Sequence, residues 1–129
     1  MKIFTHKEIS WDGKINFVDR NNVVVGLDAH QSCCESFGWI LTIGLPKPLE
    51  IGYKDPKALE DLDAFVFATT STPIKDAVGD VYAGGSISFR LVADGKADRY
   101  LTLYNYHNGY YSHGFDMKDG DNTVVSGVL

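Results

Sequence analysis

Cysteine is almost missing from this chain: there are two, and they are neighbours, Cys33-Cys34. No second pair exists to complete a zinc site of the finger type, whose ligands are separated by two or more residues. An ordinary disulfide between adjacent cysteines would be strained, so free thiols in a reducing compartment are expected. Basic charge is scarce as well. The balance of 12 Lys and Arg against 17 Asp and Glu leaves a net charge of −5, and the lysines are scattered singly. Phosphate backbones are held by basic surfaces, so the sequence argues against a nucleic-acid partner. No apolar run approaches the roughly 20 residues that cross a bilayer. The stretch Met1 to Glu8 also lacks the continuous apolar core of a signal peptide. A cytoplasmic protein without a membrane partner is expected. A phosphate-cradling loop is missing too, because Gly84-Gly85 has no downstream glycine and lysine.

What the chain does have favours a sheet. Its 129 residues are 44% apolar, enough for one domain, 1–129, with a real core. It carries 7 Phe, 7 Tyr and 2 Trp against 2 Met, with many β-branched residues. Residues 1–13 read as a short extended segment ending in a turn at Asp12-Gly13. From Lys14 to Asp19 the residues alternate, with Ile15 and Phe17 on one side, and Arg20-Asn21-Asn22 signals a turn. Val23 to His30 then returns with Val23, Val25, Leu27 and Ala29 on the core face, making residues 14–30 a hairpin. Phe37 to Gly44 is a further strand, closed by Leu45-Pro46-Lys47-Pro48, whose prolines keep it from a sheet centre. Asp55-Pro56 starts the one helix, about two turns long, with Leu59 and Leu62 on its apolar face. Residues 63–69 revert to a strand with Phe65 and Phe67 on one side, and Thr70 to Asp80 reads as loop.

The last third predicts a three-stranded meander over residues 86–117. Asp94-Gly95 and Asn108-Gly109 are strong hairpin dipeptides. Read as two-residue loops, they pair Tyr104 with His113 and Thr102 with Phe115, and put Phe89 on the face of Tyr100. An odd first loop would instead move Ile87, Phe89 and Leu91 to join Leu101 and Leu103, because a slip of one residue flips every side chain. On the even reading the other face, with Ser88, Arg90, Leu101 and Leu103, is mixed enough to be partly covered. Asp119-Gly120-Asp121-Asn122 is a turn, and an edge strand is expected after it at Thr123-Val124-Val125. The fold class expected is α+β, mainly antiparallel sheet with one short helix and a C-terminal meander.

Chemistry concentrates in Ala29-His30-Gln31-Ser32-Cys33-Cys34-Glu35-Ser36, a polar stretch between two apolar runs. Four readings compete. Buried thiols can act as small hydrophobes while His30 and Glu35 satisfy backbone groups; this is the default that sharper readings must displace. The stretch can be a binding surface, with the Tyr-rich tip Tyr106, His107, Asn108 and Tyr110 as aromatic anchor. His30, Cys33 and Cys34 offer zinc three ligands, completed by His113 or His107, although adjacent cysteines point to opposite sides of an extended chain. Cys33 or Cys34 can be a nucleophile, with a histidine as base and Asp28 or Glu35 to orient it. A hydrolase built on the carboxylates Asp28 and Glu35 would need a geometry that sequence does not specify. His113, on an apolar face, is expected to be a hydrogen-bonded core histidine.

Read together, His30-Gln31-Ser32-Cys33-Cys34-Glu35, Leu59-Glu60-Asp61-Leu62 and Asn108-Gly109-Tyr110-Tyr111-Ser112 resemble a family of small phage and bacterial proteins of unknown function. Its members carry a His-x-x-Cys-Cys-Glu stretch, a Leu-x-x-Leu segment and a strand ending in Asn-Gly-Tyr-Tyr-Ser. Ser32 stands where such proteins often have an acid. The resemblance spans roughly residues 14–117 and implies a fold and a patch, without an activity. The expectation is therefore a non-catalytic module that binds a protein partner or its own copy, with no cofactor, no metal and no catalytic residue. His30, Cys33, Cys34, Glu35 and Tyr110 form its binding patch. The alternative is a thiol- or zinc-dependent enzyme using His30, Cys33 and Cys34.

Overall fold

The computed structural model describes residues 2–5, 14–28, 36–46, 56–77, 85–106 and 112–129. Within them, the alternating apolar residues of 14–28 form the expected hairpin. Strand β2 (Lys14–Val18) follows β1 (Lys2–Thr5), and β3 (Val23–Asp28) pairs with β2 from Lys14↔Asp28 to Val18↔Val24. Phe17, Val25 and Leu27 are fully buried on one face. Asn22 makes the turn at φ 60, a left-handed conformation that asparagine tolerates. The buried carboxylate of Asp19 then locks the hairpin. Its Oδ1 accepts the N–H groups of Asn21 and Val23, each at 2.9 Å, and its Oδ2 accepts that of Phe67 at 2.9 Å. One side chain thus ties a turn of one sheet to a strand of the other.

Two antiparallel sheets result. The first has the order β1-β2-β3-β9-β10, with β9 (Gly114–Asp119) beside β3 and β10 (Asn122–Val128) at its edge. Gly120 at φ 61 begins the tight β9–β10 turn that the sequence indicated. The second sheet has the order β4-β8-β7-β5, built from β4 (Ser36–Ile43), β5 (Val66–Phe67), β7 (Gly85–Val92) and β8 (Arg99–Tyr106). Strand β6 (Ile74–Lys75), inside the stretch expected to be loop, pairs further along β7. The expected class holds: mainly antiparallel sheet with one short helix. That helix, α1 (Pro56–Leu59), opens on its proline, is shorter than expected, and passes into a 3-10 turn at Leu62–Ala64. Ala58 of the helix and Leu62 of the 3-10 turn face inward, whereas Leu59 is 42% exposed. Its end is held by Arg99, which is buried. The Arg99 guanidinium donates to the carbonyls of Ala58 (2.8 Å) and Glu60 and lies 4.3 Å from the ring centroid of Phe65.

The meander is corrected in two respects. Phe89 lies opposite Leu101 and Ile87 opposite Leu103, so the β7–β8 loop has the odd length and the aromatic face of Tyr100 is not theirs. Gly95 has φ 71, but Asp94 is not among the described non-glycine residues of positive φ. Left-handed geometry at the second central position alone marks a type II turn, whereas type I′ needs it at both. Further, β8 does not pair with β9. Both its edges are already occupied, by β4 and by β7. A strand has two edges only, so the chain crosses after β8 and β9 joins β3 in the other sheet. Asn108-Gly109 itself lies outside the described residues.

The sheets pack face to face. Phe89 of β7 meets Phe115 of β9 edge-on at 6.2 Å between ring centroids, and Phe17 of β2 meets Trp39 of β4 at 5.1 Å. Each fully buried phenylalanine contributes about 1.5–3 kcal/mol in apolar transfer, so these rings and the aliphatics around them dominate the stability. The outward face of the second sheet is buried too, at Ile40, Ser88 and Thr102, where the two hydroxyls hydrogen-bond at 2.7 Å.

Candidate functional site

The five residues of the patch, His30, Cys33, Cys34, Glu35 and Tyr110, lie outside the described residues, as does His107. The structure does place the ends of the two segments that carry them. Segment 29–35 leaves β3 at Asp28 and enters β4 at Ser36; segment 107–111 leaves β8 at Tyr106 and leads through Ser112 and His113 to β9. Ser36 and Tyr106 are ladder partners. At the other pair of ends the His113 ring nitrogen Nδ1 lies 2.7 Å from the backbone oxygen of Asp28. A carbonyl only accepts, so Nδ1 carries the hydrogen and donates it. All four ends therefore meet at one end of the sandwich.

The histidine at this junction is well anchored. His113 is fully enclosed and stacks on Phe37 at 3.9 Å between centroids and 24° between planes. Its backbone exchanges two hydrogen bonds with Leu129, at 2.9 and 2.8 Å, and the Leu129 carbonyl also accepts from Asn105 Nδ2 at 2.9 Å. His113 is thus the hydrogen-bonded core histidine that its apolar surroundings implied, although its neighbour is Phe37 and not the expected Tyr104. The residues it would serve as base or as fourth ligand, His30, Cys33, Cys34 and Glu35, lie outside the described residues. His113 is held inside, between the roots of both segments. Among the described residues no three of His, Cys, Asp and Glu are grouped to hold a metal ion.

A second polar feature, invisible in the sequence, lies on the outward face of the first sheet. Lys14 donates to both carboxylate oxygens of Asp116, at 3.3 and 3.1 Å, and Lys118 lies 3.8 Å from the same group. A side chain at Gly26 would come within 2.7 Å of Asp116 Oδ1 and 2.9 Å of Asn16 Oδ1, so glycine keeps this cluster open. The dent, about 380 Å³, is floored by Val18 and Val24. Lys14 and Asp116 are 102 positions apart, and only the pairing of β3 with both β2 and β9 brings them together. Lys14 is exposed and Asp116 half-buried, and a pair this close to the surface is worth about 1 kcal/mol at most.

What the described residues define as a class is a two-sheet, mainly antiparallel β protein with one short helix. No helix among them is long and apolar enough to cross a membrane. Comparison with protein-family models, with curated proteins and with solved structures returns no match.

Proposed function

We propose that the protein is a non-catalytic binding module of the cytoplasm, engaging another protein or a second copy of itself through segments 29–35 and 107–111. The observation that carries this reading is the contact between His113 Nδ1 and the Asp28 backbone oxygen, 2.7 Å. It fastens the roots of both segments to one buried junction. Loops fixed by a rigid scaffold are where binding surfaces are commonly built. On this reading His30, Cys33, Cys34, Glu35 and Tyr110 provide the contacts, Tyr110 as aromatic anchor. The resemblance to phage proteins fits modulation of a host protein.

The test is affinity capture from host lysate with the wild-type chain, His30→Ala, Glu35→Ala and Tyr110→Ala, accompanied by sizing of the pure protein. Loss of a specific partner, or of the dimer, in these variants is expected. An unchanged partner list and an unchanged oligomeric state remove the patch from consideration. Stoichiometric zinc in the pure protein, or a thiol alkylated well below the usual cysteine pKa of about 8.5, would favour the thiol or zinc enzyme instead.

A further inference from the structure

We infer that a cleft beside the β7–β8 turn, on the outward face of the second sheet, binds a neutral polyhydroxylated ring of monosaccharide size. The chain 69–73 creates it. Ala68 bonds to Arg90 (3.0 Å) along the edge of β7 and β6 pairs there with Ser88 and Ile87, so the five residues 69–73 span a single position of β7 and must bow away from it. The space enclosed is about 270 Å³, just under the roughly 300–1,000 Å³ typical of sites for drug-sized ligands. A single small ring suits it.

The lining selects the chemistry. Arg90 Nε donates to Asp98 Oδ2 at 2.8 Å, and Arg90 Nη1 lies 3.4 Å from Ser71 Oγ. Arginine is a donor only and an ionised aspartate an acceptor only. An anion placed here would face Asp98, and a cation would face Arg90. A vicinal diol suits both, since each hydroxyl donates and accepts. Ser71 and Thr72 add hydroxyl-bearing side chains to the wall. Ser88 is fully buried and bonded to Thr102 at 2.7 Å. That bond braces the wall from behind, and the hydroxyls open to a ligand are those of Ser71 and Thr72. Tyr100 brings an aromatic ring, against which the C–H side of a sugar packs, and Ile74 closes the apolar side. The cleft is independent of the loop site. Tyr100 and Tyr106 stand at opposite ends of β8, roughly 20 Å apart at about 3.3 Å per residue.

The experiment is an amide NMR titration of the ¹⁵N-labelled full chain with methyl glycosides of glucose, galactose, mannose and N-acetylglucosamine, each to tens of millimolar. Uracil and acetate serve as competing chemistries. Saturable shifts at Ser71, Thr72, Ser88 and Arg90 with at least one glycoside are expected, with millimolar affinity and no response at Lys118. Asp98→Asn and Tyr100→Ala should each weaken binding about tenfold, a change equal to 1.4 kcal/mol. Ser71→Ala with Thr72→Val, both in the bowed segment, replaces either variant if its amide spectrum shows unfolding. No saturable shift with any glycoside, full affinity in the folded variants, or a stronger response to uracil or acetate overturns the proposal.

Discussion

Replacing Asp19 with alanine should cost far more than its place in a surface turn suggests. The carboxylate is buried and accepts three backbone N–H groups at 2.9 Å, two in its own hairpin and one from Phe67 across the sandwich. In Asp19→Ala the Asn21 N–H, only partly buried, can turn to water. The N–H groups of Val23 and Phe67 are buried and cannot. Each buried donor left without a partner costs about 1–3 kcal/mol, so the loss should be about 3 kcal/mol. With a urea m-value of about 1.5 kcal/mol/M, the unfolding midpoint falls by about 2 M. Asp19→Asn keeps one acceptor oxygen but turns an NH₂ toward a donor, so it should lie between alanine and wild type. Urea denaturation followed by tryptophan fluorescence measures both, and amide exchange at Phe67 shows whether the link between the sheets has opened. A loss below about 2 kcal/mol for Asp19→Ala, the least that two stranded donors demand, would refute the reasoning.

Three further outcomes follow from the packing. Arg99→Lys keeps the charge but loses the planar guanidinium that lies over Phe65 while its Nη1 donates to both the Ala58 and Glu60 carbonyls; it should cost about 1–2 kcal/mol and Arg99→Met more, read by urea melts. A Cβ at Gly127 would stand 2.9 Å from Cζ of Phe115, a core ring. Gly127→Ala should therefore destabilise by about 1–3 kcal/mol through overpacking, visible as a lower thermal midpoint. Ser88→Ala and Thr102→Val each leave one hydroxyl of a buried 2.7 Å pair unmatched. The double variant should recover part of the loss, with a coupling of about 1 kcal/mol in a double-mutant cycle.

Much of the architecture was legible where the signal is local. The alternation of Ile15 and Phe17 against Val23, Val25 and Leu27 specified both the β2–β3 hairpin and its buried face. Gly120 and its flanking acids gave the β9–β10 turn. What failed was parity and partnership. Asp94-Gly95 fits several turn types, and one left-handed residue in place of two moved Phe89 from the register of Tyr100 to that of Leu101. Asn108-Gly109 carries no record that β4 has already taken the free edge of β8. Polar sites suffered the same blindness. Arg90 and Asp98 are near in sequence, yet their cleft depends on Ser71 and Thr72, which a turn between two short strands brings over. The candidate patch was legible as composition, and the structure adds the junction at its roots. His113 was readable as a core residue, but its contact with the Asp28 oxygen 85 positions earlier follows only from the crossing of the chain between sheets.

Because β8 has no edge to spare, β3 must wait for β9, a partner roughly ninety residues downstream. During synthesis the β2–β3 hairpin leaves the ribosome with one flank unsatisfied, and nothing earlier in the chain closes it on that side. Most of the polypeptide must be made before the first sheet is whole, a topology that slows folding and leaves Val23–Asp28 able to pair with strangers in the interval. A nascent chain arrested before Gly114 would be the species to look for in aggregates, rather than any form of the finished protein.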